Sequence, residues 1–534
     1  MGEITGGEIV ARTLRDLGAD ILFSVSGNQI LPIYDAIIDV QLRLIHLRHE
    51  SAAAYAAAGF AELRDVPGVA LVSAAPAFLA ALPGVATCRQ MELPMLFLNG
   101  AGRTAEVGAG GFQDFDYASA ARTVCKATFA VADAAQIRPI LLQAWQLAQA
   151  HVPGPVHISL PVDTLLALAH DETGMGVQEA PVFPGLTPAE ASALDAIAAR
   201  LSEAARPVIV ARPSAARGAA GVALRTLASR LGITPVVTEA PRGLGDLKYG
   251  EAIGRYAGSD CALVIGPADF AVGFLDPSVI ATHGDVLLID APGDPVPCRS
   301  PQIHLRVPPL LALTHLAATV APAARGSEWK AAVARLDDPA EEEDSVTAMP
   351  AGIRPLQVAL LVREFLAPDD VIVLDGGEFA QWIRFGLRDI PNRVLWNSKL
   401  GGIGGSIPLA VGIAAAGHRG RTIVFVGDGA AGYHLSEFET AARHGLPFVA
   451  IVGNDGRWAA EWHMQVSRYG AARALATDLS PARYDVVARG LGATGDDIHD
   501  LASLRAALAA RLAEGRPACL NVHVPSLPSP AVQA

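Results

Sequence analysis

Arg421-Thr422-Ile423-Val424-Phe425-Val426-Gly427-Asp428-Gly429-Ala430-Ala431-Gly432 is a strand-length apolar run that ends in a glycine-rich loop, with a helical segment following through Arg443. Strand, glycine loop and helix begin a parallel α/β unit. The glycines let backbone approach a diphosphate, and the helix offers free N–H groups. Asp428 decides what the loop can hold, because a carboxylate there repels a diphosphate unless a cation stands between them. Mg²⁺ suits that position: it is small and hard, and usually shares its octahedron among a few protein oxygens, water and phosphate. Asn454 lies 26 positions on, at the end of the next strand-like run, residues 448–452. Both side chains then fall on the carboxyl edge of neighbouring parallel strands, where α/β proteins bind ligands. The backbone carbonyl of Gly456 is a third candidate oxygen. Taken alone, Gly427 to Gly432 also reads as G-x-G-x-x-G with Asp455 as the acid for a ribose, so an NAD-dependent oxidoreductase stays open at this point.

The same rhythm continues outward in both directions. Apolar runs alternate with Ala- and Leu-rich helical stretches, as in residues 42–47 then 51–63, and 69–72 then 77–86. Two stretches interrupt it: residues 178–189, with three prolines, and 337–355, with the acidic run 341–344; both read as linkers. They leave segments 1–177, 190–336 and 356–534, each of domain size. The expected fold class is α/β, with three doubly wound parallel-sheet domains.

Composition removes several functions. A net charge of −13 opposes binding to nucleic acid or to an anionic membrane surface. The five cysteines form no C-x-x-C pair and no zinc spacing, which suits a reducing, cytoplasmic setting. Acids and glycines stand in the first eight residues, where an export signal would have basic residues and an apolar run. No apolar stretch approaches the roughly 20 residues of a membrane span.

The pair Gly427-Asp428-Gly429 and Asn454-Asp455-Gly456 resembles the diphosphate motif of the thiamine diphosphate enzymes. Other pieces recur in that family's order: Gly27-Asn28-Gln29-Ile30-Leu31-Pro32-Ile33-Tyr34-Asp35, Arg48-His49-Glu50, Gly111-Phe112-Gln113, and Gly154-Pro155-Val156 with Leu160-Pro161. They look like acetolactate synthase and benzaldehyde lyase. The resemblance implies thiamine diphosphate and Mg²⁺ as cofactors, a pyrimidine-binding N-terminal domain, a middle domain and a diphosphate-binding C-terminal domain. It also implies a homodimer or homotetramer whose sites lie between subunits and act on small carbonyl substrates.

Residue by residue, the resemblance implies that Glu50 protonates the cofactor's aminopyrimidine. Gly427, Asp428, Gly429, Ala430, Asn454 and Gly456 would hold the diphosphate, with Asp428, Asn454 and Gly456 on the metal. Gly377 and Glu378 match a loop that cradles the diphosphate, although Glu378 is an acid where a neutral or basic residue is expected. Gly401 and Ile403 match the loop that bends the cofactor. Asn28, Gln29 and Gln113 would face the reacting carbonyl, and His463, near Trp458 and Trp462, is a candidate proton relay. Local sequence allows plainer roles: Glu50 complementing a helix start, Asn28 in a turn, Gln113 as a surface amide, Ile403 in the core and His463 exposed on a helix.

Two departures limit the transfer. Ser73-Ala74-Ala75-Pro76-Ala77 replaces a glycine-rich loop, and Ala80 stands where an asparagine is usual. Val264-Ile265-Gly266-Pro267-Ala268 lacks the arginine pattern of flavin-binding relatives, so FAD is not expected. The implied reaction is that of a lyase or carboligase on 2-oxo acids or 2-hydroxy ketones. A 2-hydroxyacyl-CoA lyase, a 2-oxo acid decarboxylase and a catalytically silent relative remain alternatives.

Overall fold

The computed structural model describes residues 3–170, 185–233, 235–237, 259–266, 285–291, 303–322, 352–387, 390–396 and 400–529. The chain forms two compact units, one made chiefly of Met1–Pro181 with Glu343–Ser529 and the other of Val182–Glu342.

In the first unit a short antiparallel pair, β1 (Glu3–Thr5) and β8 (Leu168–His170), joins the two ends of the N-terminal domain. Between them lie β2 (Ile21–Ser24), β3 (Arg43–His46), β4 (Gly68–Val72), β5 (Met95–Ala101), β6 (Ala127–Ala130) and β7 (Pro155–Pro161). They make a parallel sheet in the order β3-β2-β4-β5-β7-β6. The central strands are buried along their whole length, which is why runs such as Val69-Ala70-Leu71-Val72 are continuously apolar.

The second unit carries β9 (Pro207–Ala211), β10 (Val236–Val237), β11 (Cys261–Ile265), β12 (Asp285–Asp290) and β13 (Ile303–Arg306), parallel in the order β10-β9-β11-β12-β13. Thr187 caps its helix Pro188–Glu203, so the proline-rich stretch read as a linker runs into a helix start. The acidic run 341–344 lies outside the described residues.

The C-terminal half of the first unit contains β14 (Val371–Leu374), β15 (Arg393–Trp396), β16 (Thr422–Gly427), β17 (Val449–Asn454), β18 (Thr494–Ile498) and β19 (Ala518–His523). Their order, β15-β14-β16-β17-β19-β18, repeats the N-terminal pattern strand for strand. The fold class expected from the sequence is therefore present in the three parallel sheets.

Within the first unit the two halves share one hydrophobic core. Helix Glu50–Arg64 is Ala-rich and buried almost all round, because the sheet takes one side and helix Ser406–Ala415 the other. Small residues let the two backbones close up: a Cβ on Gly412 would lie 1.8 Å from the Ala56 carbonyl oxygen, and one on Gly59 would lie 2.2 Å from that of Leu409. Among the described residues, no helix is long and apolar enough to cross a membrane.

Candidate active site

β16 and β17 run side by side with Gly427 opposite Gly453, so Asp428 and Asn454 leave the same edge at neighbouring positions. The helix expected after the loop is split into one turn, Asp428–Ala431, and a second helix, Glu437–His444. A Cβ on Gly429 would sit 2.7 Å from the Trp458 ring, so glycine is what lets that indole lie on the loop. Ala430 is buried beneath it in the shared core.

Asn454 donates both amide protons, to the Ala482 carbonyl at 2.9 Å and to Asn521 Oδ1 at 3.0 Å. That fixes the orientation of its amide and leaves Oδ1 buried with no partner. Asp428 Oδ1 accepts the Gly429 N–H at 2.9 Å, and Oδ2 has no partner. Two orphaned, buried oxygens on neighbouring strand ends are costly unless something binds them. Burial, and then the charge of Asp455, push the Asp428 carboxyl up to about 7, while burial also raises Asp455. A divalent cation fits these residues: it would take both free oxygens and relieve the repulsion between the two acids. The Gly456 carbonyl accepts the Leu479 N–H at 2.6 Å and keeps a second lone pair.

Behind Asn454, Asn521 donates to Asp497 Oδ1 at 2.8 Å. Asp497 also receives His523 at 2.8 Å, His499 at 3.1 Å and Arg483 at 3.3 Å. Asp497, His499 and His523 have the spacing of metal ligands. Both oxygens of the carboxylate are already filled, however, so the cluster acts as a buttress for Asn521.

The loop bearing Gly401 and Ile403 is held by Asp375, which follows β14 and is fully buried. Its carboxylate accepts the N–H groups of Gly376 at 2.7 Å, Gly404 at 2.8 Å and Ser406 at 3.1 Å. Gly401 and Gly404 have φ of +68° and +83°, and Ile403 packs against the shared core. Gly377, at φ +103°, starts the helix Glu378–Gly386. Glu378 is buried, and one of its oxygens accepts the Ser529 N–H.

The N-terminal sheet brings its candidates to one edge. Asn28 and Gln29 follow β2, Glu50 follows β3, Ser73 follows β4 and Gln113 lies in the loop after β5. Gln29 donates to Gln113 Oε1 at 2.7 Å and accepts from Ser73 Oγ at 2.6 Å. Tyr117 donates to the Gln113 carbonyl at 3.0 Å and accepts the Ala75 N–H at 3.0 Å. Gln113 is thus a held amide with φ +62°. Asn28 is exposed, and Glu50 is half-buried in the first turn of its helix. Beside Gln113 lies a cavity of about 630 Å³, lined by Phe112, Phe115, Phe129, His157 and Pro161 among others, with no Lys or Arg in its lining.

His463 is buried rather than exposed on its helix. It lies against the Trp462 ring with Nε2 3.5 Å from Ser526 Oγ, and burial followed by Arg457 lowers its pKa.

Sequence reasoning missed Asn521, Asp375, Ser73 and His434. Asn521 left one signal, as a polar side chain inside the buried strand Ala518–His523 that has to find a partner.

The family description "Thiamine pyrophosphate enzyme, N-terminal TPP binding domain" matches residues 4–120, and "Thiamine pyrophosphate enzyme, C-terminal TPP binding domain" matches residues 375–522. The chain is 30% identical to a probable acetolactate synthase of Mycobacterium bovis, over 97% of this chain and 95% of that protein. It is 27% identical to the acetolactate synthase large subunit of Parasynechococcus marenigrum, over 98% and 88%. It is also 27% identical to 2-hydroxyacyl-CoA lyase 2 of Homo sapiens, over 92% and 84%.

Proposed function

We propose, for a chain that belongs to the thiamine pyrophosphate enzyme family, a Mg²⁺-assisted lyase or carboligase that takes 2-oxo acids or 2-hydroxy ketones. The observation that carries the metal is the pair of buried, unpartnered oxygens on Asp428 and Asn454. Asp428, Asn454 and the Gly456 carbonyl would hold the cation, and Gly427, Gly429, Ala430, Gly377 and Glu378 would line the diphosphate. Gly401 and Ile403 would seat the thiazolium ring. When bound, thiamine diphosphate supplies a carbon nucleophile and an electron sink.

The chain's own part begins with Glu50, whose carboxyl carries a proton to and from the cofactor's aminopyrimidine. Gln113 acts on the substrate. Because its Oε1 accepts from Gln29, its Nε2 protons remain to donate to a carbonyl oxygen. Uncharged amides stabilise developing negative charge there without neutralising a carbon nucleophile. Asn28 stands at the same edge, and His463 is the imidazole on the covering segment. The cavity next to Gln113, whose aromatic residues share the lining with Glu106, Asp114 and Asp116, gives room for an uncharged substituent on the donor or acceptor. A cytoplasmic homodimer or homotetramer, with sites completed between subunits, belongs to the same reading.

A second reading, a 2-hydroxyacyl-CoA lyase, is favoured by the relatives of that name, which match most of the chain. The cavity lining, with Glu106, Asp114 and Asp116 and without Lys or Arg, favours the uncharged 2-hydroxy ketones of the first reading over a CoA ester. A panel of 2-oxo acids, 2-hydroxy ketones and 2-hydroxyacyl-CoAs, assayed with thiamine diphosphate and Mg²⁺ for carbon dioxide, aldehydes and acyloins, separates them. Turnover of 2-oxo acids or hydroxy ketones supports the proposal; turnover of CoA esters alone replaces it with the second reading.

A further inference from the structure

His434, between the two short helices of the diphosphate segment, reaches in two directions. Its Nδ1 lies 2.6 Å from the carbonyl oxygen of Gly404, in the loop that carries Ile403. Its Nε2 lies 2.8 Å from Ser51 Oγ, and Ser51 directly follows Glu50 in the first turn of its helix. His434 and Ser51 are both almost wholly buried, and the rings of His49 and Tyr55 stand edge-on to the imidazole at 5.6 and 5.8 Å.

The protons can be assigned. Burial favours the neutral imidazole. A carbonyl can only accept, so Nδ1–H donates to Gly404 and Nε2 keeps a lone pair for the Ser51 hydroxyl proton. His49 Nδ1 stands on the other side of Ser51, 2.7 Å from the same Oγ and 3.1 Å from the Ser51 nitrogen. Three residues on, Glu437 accepts the Arg48 N–H at 3.1 Å, so the same segment grips the chain on both sides of Glu50. Asp375 holds the N–H of Gly404 while His434 holds its carbonyl.

We propose that His434 is a positioning residue that couples the cofactor-seating loop, residues 401–404, to the presentation of Glu50. The link runs within one chain, so where sites are completed between subunits it joins the Glu50 of one site to the seating loop of the other. It rests on the proton-carrying role given to Glu50 above.

The test uses the full-length protein as wild type, Ser51→Ala, His434→Ala, the double variant and Glu50→Gln. Two quantities are read: the thiamine diphosphate Kd, from tryptophan fluorescence, and the deuterium exchange of the bound cofactor's C2 hydrogen, from proton NMR. Ser51→Ala keeps the hold on Gly404, so its Kd should stay within about twofold while exchange slows about tenfold. His434→Ala should weaken binding and slow exchange, each about tenfold, and the double variant should be no worse than His434→Ala alone. Ser51→Thr, which keeps the hydroxyl, should restore exchange. Wild-type exchange in both Ser51→Ala and His434→Ala, or strictly additive losses, overturns the coupling while Glu50→Gln remains slow. Normal exchange in Glu50→Gln overturns the role of Glu50 and the coupling with it.

Discussion

Gln29 and Gln113, 84 positions apart in the chain, meet through a 2.7 Å hydrogen bond on the carboxyl edge of the N-terminal sheet. The bond fixes which end of each amide points where. Ser73 holds the Gln29 oxygen, so the Gln29 nitrogen serves Gln113 and the Gln113 nitrogen is left for the substrate contact proposed for it. Gln113→Ala should therefore lower kcat/KM about 10- to 100-fold without changing cofactor affinity. Ser73→Ala, which only loosens Gln29, should cost less, about threefold to tenfold. Steady-state kinetics beside a cofactor titration check both.

In the proposed metal site, Asn521 acts through Asn454, whose amide it holds. Removing its side chain frees one Asn454 amide proton and lets the amide turn, so Mg²⁺ affinity should fall about 10- to 100-fold in Asn521→Ala. A Mg²⁺ titration at fixed thiamine diphosphate measures it; unchanged affinity would mean that Ala482 alone orients the amide.

The residues proposed to touch a cofactor were legible because chemistry dictates their type and strand edges dictate their place. Asp428 and Asn454 each leave a parallel strand where a short apolar run stops, and Glu50 does the same after β3. The residues that hold them were not legible. Asn521 reaches Asn454 from a strand 67 positions away, and His434 reaches Ser51 across 383. Such pairings are set by strand order, which one sequence does not reveal. The Ser73 loop illustrates this, since it looks like a departure until Ser73 is seen to hold Gln29.

Glu437 gives a pH dependence whose sign can be worked out. It is fully buried, and burial pushes its carboxyl from 4.5 to about 7, against the donors Thr440 and Arg48. Between those values the folded chain holds a proton that the unfolded chain has released. Stability from this group is therefore full below about 4.5 and is lost as pH rises through 7, by up to about 3 kcal/mol. Glu437→Gln should flatten that slope. Urea unfolding of both proteins at several pH values between 4.5 and 8 tests this, and parallel slopes would contradict it.

Gly412→Ala would raise helix propensity on an isolated helix by about 1 kcal/mol. Here its Cβ would lie 1.8 Å from the Ala56 carbonyl oxygen, so the two halves of the first unit would have to separate. The expected result is a net loss of about 2 kcal/mol or more in denaturant unfolding. A gain would show that the seam yields freely.

Titration of thiamine diphosphate into wild type and Asp428→Ala, with Mg²⁺ and again with a chelator, tests the central claim most directly. The account predicts that wild type binds about 100-fold more tightly with Mg²⁺ than without, and that Asp428→Ala binds weakly in both. Tight binding that ignores Mg²⁺, or an Asp428→Ala variant that binds like wild type, would contradict it.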